Sequence, residues 1–307
     1  MSESDYELLA LTELENAFGH KNWNIKKLVD GRTNSTFLCC DSKNHLILRI
    51  YGADTELLID REEEIRHLKM LNKNNLAPKL RARFKNGIMV DYIEGTTLTL
   101  QQCIDERQKI ACLLQKWHGI KKNEQPILWN RMWQWYEIAS RKYSEILKHL
   151  SVSYFIKELE KIVCSTERST AFCHNDLVFG NIIKNDDNHI IFIDYEYSGV
   201  NYTSFDIANH FCEYAGENNE FSKIPNEEYM REWLVEYANN PSEIEKVISE
   251  IKIFIPIAHL FWGLWGLCRV EEIDSYDYGI RRIMEGIIQS SYFLFNKKSI
   301  HNGEIVK

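Results

Sequence analysis

Apolar residues recur at helical spacing over residues 4–18, at Leu8, Leu11, Leu14 and Phe18, and the run stops at Gly19, which predicts a short helix with a glycine cap. Three runs of strand character follow, Trp23 to Leu28, Ser35 to Cys40 and His45 to Tyr51. The connections Asp30-Gly31 and Asp41-Ser42-Lys43-Asn44 are turn chemistry, so the three runs are expected as antiparallel hairpins. From Thr55 to Lys73, Leu58, Ile65, Leu68 and Leu71 sit among charged residues and predict an amphipathic helix. After Ala77-Pro78, the segments Leu80 to Lys85 and Gly87 to Ile93 read as two further strands. Beyond Glu94-Gly95 the pattern is helical, interrupted by one stretch, Cys173 to Glu213. Ile253 to Cys268 is strongly apolar but shorter than a membrane span, and it carries Pro256 and His259, so it is expected as a buried helix. Asn296 to Lys307 is expected to fray.

A chain of 307 residues exceeds what one core usually covers, which suggests two lobes. The strand-rich residues 1–93 form the expected small lobe and the mainly helical 94–307 the large one, an α+β architecture. With 44% hydrophobic and 27% charged residues the composition is that of a globular protein. The net charge of −8 gives no general attraction to nucleic acid or anionic membrane. Eight scattered cysteines without a C-x-x-C suggest neither a zinc site nor a disulfide framework, and fit a reducing cytoplasm. The acidic start, MSESDYELL, lacks the order of a signal peptide.

The interrupting stretch carries the chemistry. His174-Asn175-Asp176-Leu177, with Asn181 five residues after the aspartate, resembles the catalytic loop of protein kinases, and the apolar run Ile190 to Ile193 delivers Asp194. In that grammar the loop aspartate accepts the proton of the attacking hydroxyl, while the asparagine and the second aspartate hold Mg²⁺. Asn175 in place of arginine, and Asp194-Tyr195-Glu196 in place of D-F-G, point to a kinase of small molecules. His174 is expected to fix the loop by hydrogen bonding, and Asp206 to anchor it from the next helix.

The first lobe offers matching parts. Gly31 to Ser35, with Thr33 and Asn34, can lay N–H groups and hydroxyls over ATP phosphates, although alone it reads as an ordinary hairpin turn. Arg49 on the third strand stands where kinases place a phosphate-binding lysine, with Glu64 on the next helix to pair with it; alone, each reads as a solvated charge. The order of loop, strand cation, helix glutamate and H-N-D argues for the phosphate-binding reading. In Phe261-Trp262-Gly263-Leu264-Trp265-Gly266, Trp262 and Trp265 share a helix face. Such a pair is ordinarily a core stripe, but indole faces also attract an alkylammonium.

Leu48-Arg49-Ile50-Tyr51-Gly52, Leu76-Ala77-Pro78-Lys79-Leu80, Phe172-Cys173-His174-Asn175-Asp176, Ile193-Asp194-Tyr195-Glu196-Tyr197-Ser198-Gly199 and Phe205-Asp206-Ile207-Ala208-Asn209-His210-Phe211 together resemble the choline and ethanolamine kinases. That family shares the two-lobed protein-kinase-like fold with aminoglycoside phosphotransferases. The resemblance implies ATP- and Mg²⁺-dependent phosphorylation of an amino alcohol. It implies Asp176 as base, Asn181 and Asp194 on metal, Arg49 on the phosphates and adenine near Asp91 to Ile93. It also assigns Trp262 and Trp265 to the amine pocket, with Tyr197 as a wall and Glu213 as its negative charge, and sets Arg281 close to a pocket tyrosine of choline kinases. Leu177-Val178-Phe179 and Glu213-Tyr214-Ala215-Gly216 look like the ethanolamine form. Ethanolamine is therefore expected ahead of choline. An aminoglycoside-type phosphotransferase and a non-catalytic nucleotide-binding module are the more remote readings, and a homodimer is left open.

Overall fold

In the computed structural model, which describes residues 3–19, 22–28, 34–52, 55–216, 218–238, 240–269 and 273–301, helix α1 (Glu3–Phe18) presses Ala10 and Leu14 onto an antiparallel sheet. The sheet comprises β1 (Asn24–Lys27), β2 (Asn34–Cys40) and β3 (His45–Tyr51). After helix α2 (Arg61–Lys73) it is completed by β4 (Leu80–Phe84) and β5 (Gly87–Asp91), in the spatial order β1-β2-β3-β5-β4. Strand periodicity sorts the two faces of β3. Leu46, Leu48 and Ile50 are buried with Phe37, Cys39, Met89 and the helix residues, so Ile47, Arg49 and Tyr51 fall on the opposite face. Asp60 caps α2 by accepting the N–H groups of Glu62 and Glu63, and acidic residues in the first turn suit the positive end of the helix dipole.

The chain continues through β6 (Thr96–Thr97), α3 (Leu100–Asp105), α4 (Arg107–His118), α5 (Leu128–His149) and α6 (Val152–Cys164). Strands β7 (Thr170–Cys173), β8 (Ile182–Lys184), β9 (Ile190–Phe192) and β10 (Gly199–Tyr202) follow. Helices α7 (Thr203–Cys212), α8 (Glu227–Tyr237), α9 (Ile244–Cys268) and α10 (Ile273–His301) close it; α10 takes in residues 296–301 of the segment expected to fray, and 302–307 lie outside the described residues. Two compact units result, residues 1–97 with 183–197, and residues 98–182 with 198–307. The first unit takes in 183–197 as well as the expected small lobe, where Thr96 and Thr97 of β6 pair with Lys184 and Ile183 of β8. That non-local pairing ties Asp194 to the first unit. In the second unit β7 and β10 pair, matching Cys173 with Gly199.

The apolar run around Pro256 is longer than the sequence expectation. As α9 it spans 25 residues, long and apolar enough to cross a membrane, and 83% of its most apolar window is buried within the protein. Glycines bring α10 against it. A Cβ on Gly266 would lie 2.9 Å from the Gly279 Cα and 2.9 Å from the Ser275 carbonyl oxygen, a separation only hydrogen can fill.

Candidate functional site

The first unit places its ionisable groups on the face of β3 away from the core. Arg49 Nη1 donates to Glu64 Oε1 at 3.0 Å, and Nη2 donates to Asp194 Oδ1 at 2.9 Å and to Glu196 Oε2 at 3.3 Å. Arg61 joins from α2, its Nη1 2.9 Å from both Glu64 Oε2 and Glu196 Oε2, while its guanidinium lies 4.0 Å from the centre of the Tyr51 ring. Burial works against the Arg49 charge, but Asp194, Glu64 and Glu196 outweigh it and hold the guanidinium more firmly protonated. Asn34, itself buried, donates to Glu196 at 3.0 Å and accepts from Arg61 at 3.2 Å, so its amide belongs to this network.

Two guanidiniums thus meet three carboxylates. Ligand oxygens of Glu64, Asp194 and Glu196 lie within 4.8 Å of one another, and of the three side chains only that of Asp194, 31% exposed, reaches solvent appreciably. Asp194 adopts φ +66°, a left-handed conformation that aspartate tolerates better than bulkier residues do. Arg49 and Arg61 already hold oxygens of all three, so Asp194, the exposed member, is the one placed to offer an oxygen to a hard cation. Beside it is a cavity of about 460 Å³, lined by Leu38, Ile47, Leu68, Ile88 and Val90 as apolar walls, by Arg49 and Asp194, and by Asp91 and Ile93. Asp91 also accepts an ion pair from Arg81. Gly31 and Thr33 lie outside the described residues.

In the second unit, β7 leads into the loop bearing Asp176, and α7 holds that loop in place. Asp206 Oδ2 accepts the His174 N–H at 2.8 Å and Oδ1 the Asn175 N–H at 2.7 Å, while His118 Nε2 lies 3.0 Å from Oδ2. Burial would raise the Asp206 carboxyl, but the His118 hydrogen bond and the neighbouring histidines prevail and keep it below the usual carboxylate value. One turn on, Asn209 Nδ2 donates to the Asn175 carbonyl at 3.0 Å and His210 Nδ1 to the Leu177 carbonyl at 2.8 Å. Asn201 Nδ2 holds the Asn175 side chain at 2.8 Å, which stabilises Asn175 at φ +67°. Asp176, half-buried, follows directly; its N–H meets His174 Nδ1 at 3.4 Å, the fixing role expected of His174. Asn181 Nδ2 donates to the Asp176 carbonyl oxygen at 2.9 Å and to Oδ2 at 3.3 Å, leaving its Oδ1 as the atom suited to a metal.

Helices α9 and α10 hold the aromatic residues. Trp262 and Trp265, each 4% exposed, meet edge to face at 5.5 Å, and the run continues to Trp135 at 6.1 Å and Tyr278 at 6.4 Å. Their faces already attract cations, with the Arg269 guanidinium 5.2 Å from the Trp265 ring and that of Arg282 5.6 Å from Tyr278. Glu213 accepts from Arg282 Nη1 at 3.0 Å. Arg281, which the resemblance sets near the position of a pocket tyrosine, is exposed, whereas Arg282, one position on and turned by the helix, is buried. Tyr197 is buried at the end of the segment that belongs to the first unit.

Sequence reasoning passed over Glu196, Arg61, His118, Asn201, Asn209, His210 and Arg282. The available signals were the two-residue spacing of Asp194 and Glu196, and Asp206, Asn209 and His210 at three- and four-residue spacing on one helix face.

The family model for choline/ethanolamine kinases matches residues 25–286. Ethanolamine kinase 2 of Rattus norvegicus is 34% identical over 264 residues, spanning 79% of this chain and 69% of that one. Probable choline kinase 2 of Arabidopsis thaliana is 32% identical over 257 residues, 76% of this chain and 73% of that one. Among solved structures, an ethanolamine kinase of Plasmodium vivax has a TM-score of 0.86 at 25% identity, covering 93% of this chain and 89% of that one. With the loop, the carboxylate cluster and the aromatic helix in place, and a match over most of its length, the chain belongs to the choline/ethanolamine kinase family.

Proposed function

We propose that the protein transfers the γ-phosphoryl group of ATP to the hydroxyl of ethanolamine, giving phosphoethanolamine. The observation that carries this reading is the Asp176 loop, fixed by three side chains of α7, with Asn181 hydrogen-bonded to the Asp176 carboxylate. Such a loop provides a positioned carboxylate to take the hydroxyl proton as the oxygen attacks. Arg49 orients the phosphates, and Glu64 and Glu196 orient Arg49. The apolar walls between Asp91 and Leu38 suit adenine, with Gly31, Thr33 and Asn34 as the phosphate loop. Asn181 and Asp194 would hold Mg²⁺, which when bound neutralises charge on the β- and γ-phosphates. Trp262 and Trp265 would take the ammonium group on their indole faces, with Glu213 as its counter-charge, and the family resemblance assigns Tyr197 to the same substrate. The scattered cysteines, without a C-x-x-C, support placing the protein in a reducing cytoplasm.

The similarity to a plant protein named as a probable choline kinase favours choline as the second substrate. Release of ADP with ethanolamine, choline and an aminoglycoside, each titrated at saturating ATP, tests the reading. Ethanolamine is expected to give the highest kcat/KM; a higher value with choline makes the protein a choline kinase, and turnover of the aminoglycoside alone overturns the amino-alcohol assignment.

A further inference from the structure

Arg282 is 1% exposed, an unusual position for a guanidinium. Its Nη1 donates to Glu213 Oε1 at 3.0 Å, and its guanidinium lies 5.6 Å from the Tyr278 ring. Tyr278 in turn meets Trp265 at 6.4 Å, and Trp265 meets Trp262 at 5.5 Å. A continuous line of contacts therefore runs from Glu213 to the tryptophans, and Arg282 is the link that carries charge. Among the described residues Nε and Nη2 of Arg282 have no protein acceptor, so Glu213 is the carboxylate that anchors this fork. The Glu213 side chain is 20% exposed against 2% for Arg282, so the carboxylate reaches solvent while the cation behind it does not.

We infer that Arg282 is a positioning residue for the ammonium group: by engaging one oxygen of Glu213 it fixes the carboxylate so that the other oxygen is presented to an N–H donor. This deepens, and rests on, the amino-alcohol kinase reading. The arrangement favours a primary ammonium, which brings three N–H donors needing acceptors, over a quaternary one, which brings none. It also accounts for an arginine in a pocket for cations. Glu213 neutralises the arginine, and the arginine in return removes the carboxylate's freedom to turn.

The test is steady-state kinetics of wild type, Arg282→Met, Arg282→Lys, Glu213→Gln and the Arg282→Met/Glu213→Gln double variant, with ethanolamine, choline and ATP each varied. In Arg282→Met the KM for ethanolamine is expected to rise about ten- to a hundredfold, the loss of one charge-assisted hydrogen bond, with the KM for ATP within about twofold of wild type. Choline is expected to be affected less, so the ethanolamine-to-choline preference narrows. Arg282→Lys should fall between wild type and Arg282→Met, because an ammonium keeps the charge but, on a shorter and more flexible stem, holds the carboxylate oxygen less firmly than the planar guanidinium. On the Glu213→Gln background, Arg282→Met should add less than about a further twofold, since the two residues act as one unit. Equal losses with both alcohols and ATP, full additivity, or a wild-type KM in Arg282→Lys overturns the inference. Should Arg282→Met fail to fold, the lysine variant and Glu213→Gln decide alone, by the same ethanolamine-specific rise in KM. Wild-type protein that turns over neither alcohol overturns the kinase reading itself, whereas active wild type with unaltered variants overturns only the role of Arg282.

Discussion

The Asp206 carboxylate accepts the backbone N–H of Asn175 at 2.7 Å, one residue before Asp176. The same carboxylate takes the His174 N–H on its other oxygen and faces His118. A helix side chain thus sets the backbone of the loop on which the proposed base is mounted.

Asp206→Asn leaves one acceptor oxygen where two backbone N–H groups and a histidine now converge. We expect kcat to fall by about two orders of magnitude and the unfolding free energy by about 2–4 kcal/mol, from a buried donor left without an acceptor. Single-turnover kinetics and urea denaturation measure the two losses separately. A variant with unchanged kcat would show that Asp176 does not depend on this anchor.

Arg49→Lys tests the phosphate side. The guanidinium reaches Glu64, Asp194 and Glu196 at once, and a lysine offers one compact charge in place of that planar fork. The expected result is a loss of about ten- to a hundredfold in kcat/KM for ATP, with little change in the KM for ethanolamine. ADP release with each substrate varied in turn provides the measurement.

These two residues also mark what the sequence made legible. Asp176, Asn181 and Asp194 stood out because a kinase loop depends on local spacing, and Arg49 and Glu64 because strand and helix follow in order. Glu196 did not, since its partner Arg61 lies 135 positions away, and His118 lies 88 positions from Asp206. Arg281 was noted through the resemblance alone, whereas Arg282 shares the buried face of α10 with Gly279, Ile283, Gly286 and Ser290 at helical spacing. The five-stranded sheet was readable from turns and alternation alone, whereas the membership of 183–197 in the first unit depends on the pairing of β6 with β8.

Gly266→Ala tests the contact between α9 and α10. The new methyl group would meet backbone atoms of α10, which cannot rotate away as a side chain can. A cost of about 1–3 kcal/mol is expected, typical of overpacking a filled interior. Because Tyr278 borders Gly279 and touches Trp265, the KM for ethanolamine should rise as well, while that for ATP stays near wild type. Urea denaturation and substrate titration report the two effects.

The pH dependence of stability follows from His210. Burial holds its imidazole down to about 4, from an ordinary value of 6.5; the Leu177 carbonyl and Asp206 pull it upward, and His174 pushes it further down. The folded protein therefore keeps His210 neutral in a range where the unfolded chain protonates it. With more protons bound to the unfolded state, stability is full above about pH 6.5 and declines as the pH falls towards 4. The contribution of this one group is on the order of 3 kcal/mol across that window. His259, buried and close to the Arg282 charge, is held well below its usual value and acts in the same direction. His210→Asn retains a donor for the Leu177 carbonyl but does not titrate, so the fall in stability between pH 6.5 and 4 should be shallower in the variant. Urea midpoints measured at half-unit steps through this window test it, and parallel curves for the two proteins would exclude a neutral His210 as the source of the acid sensitivity.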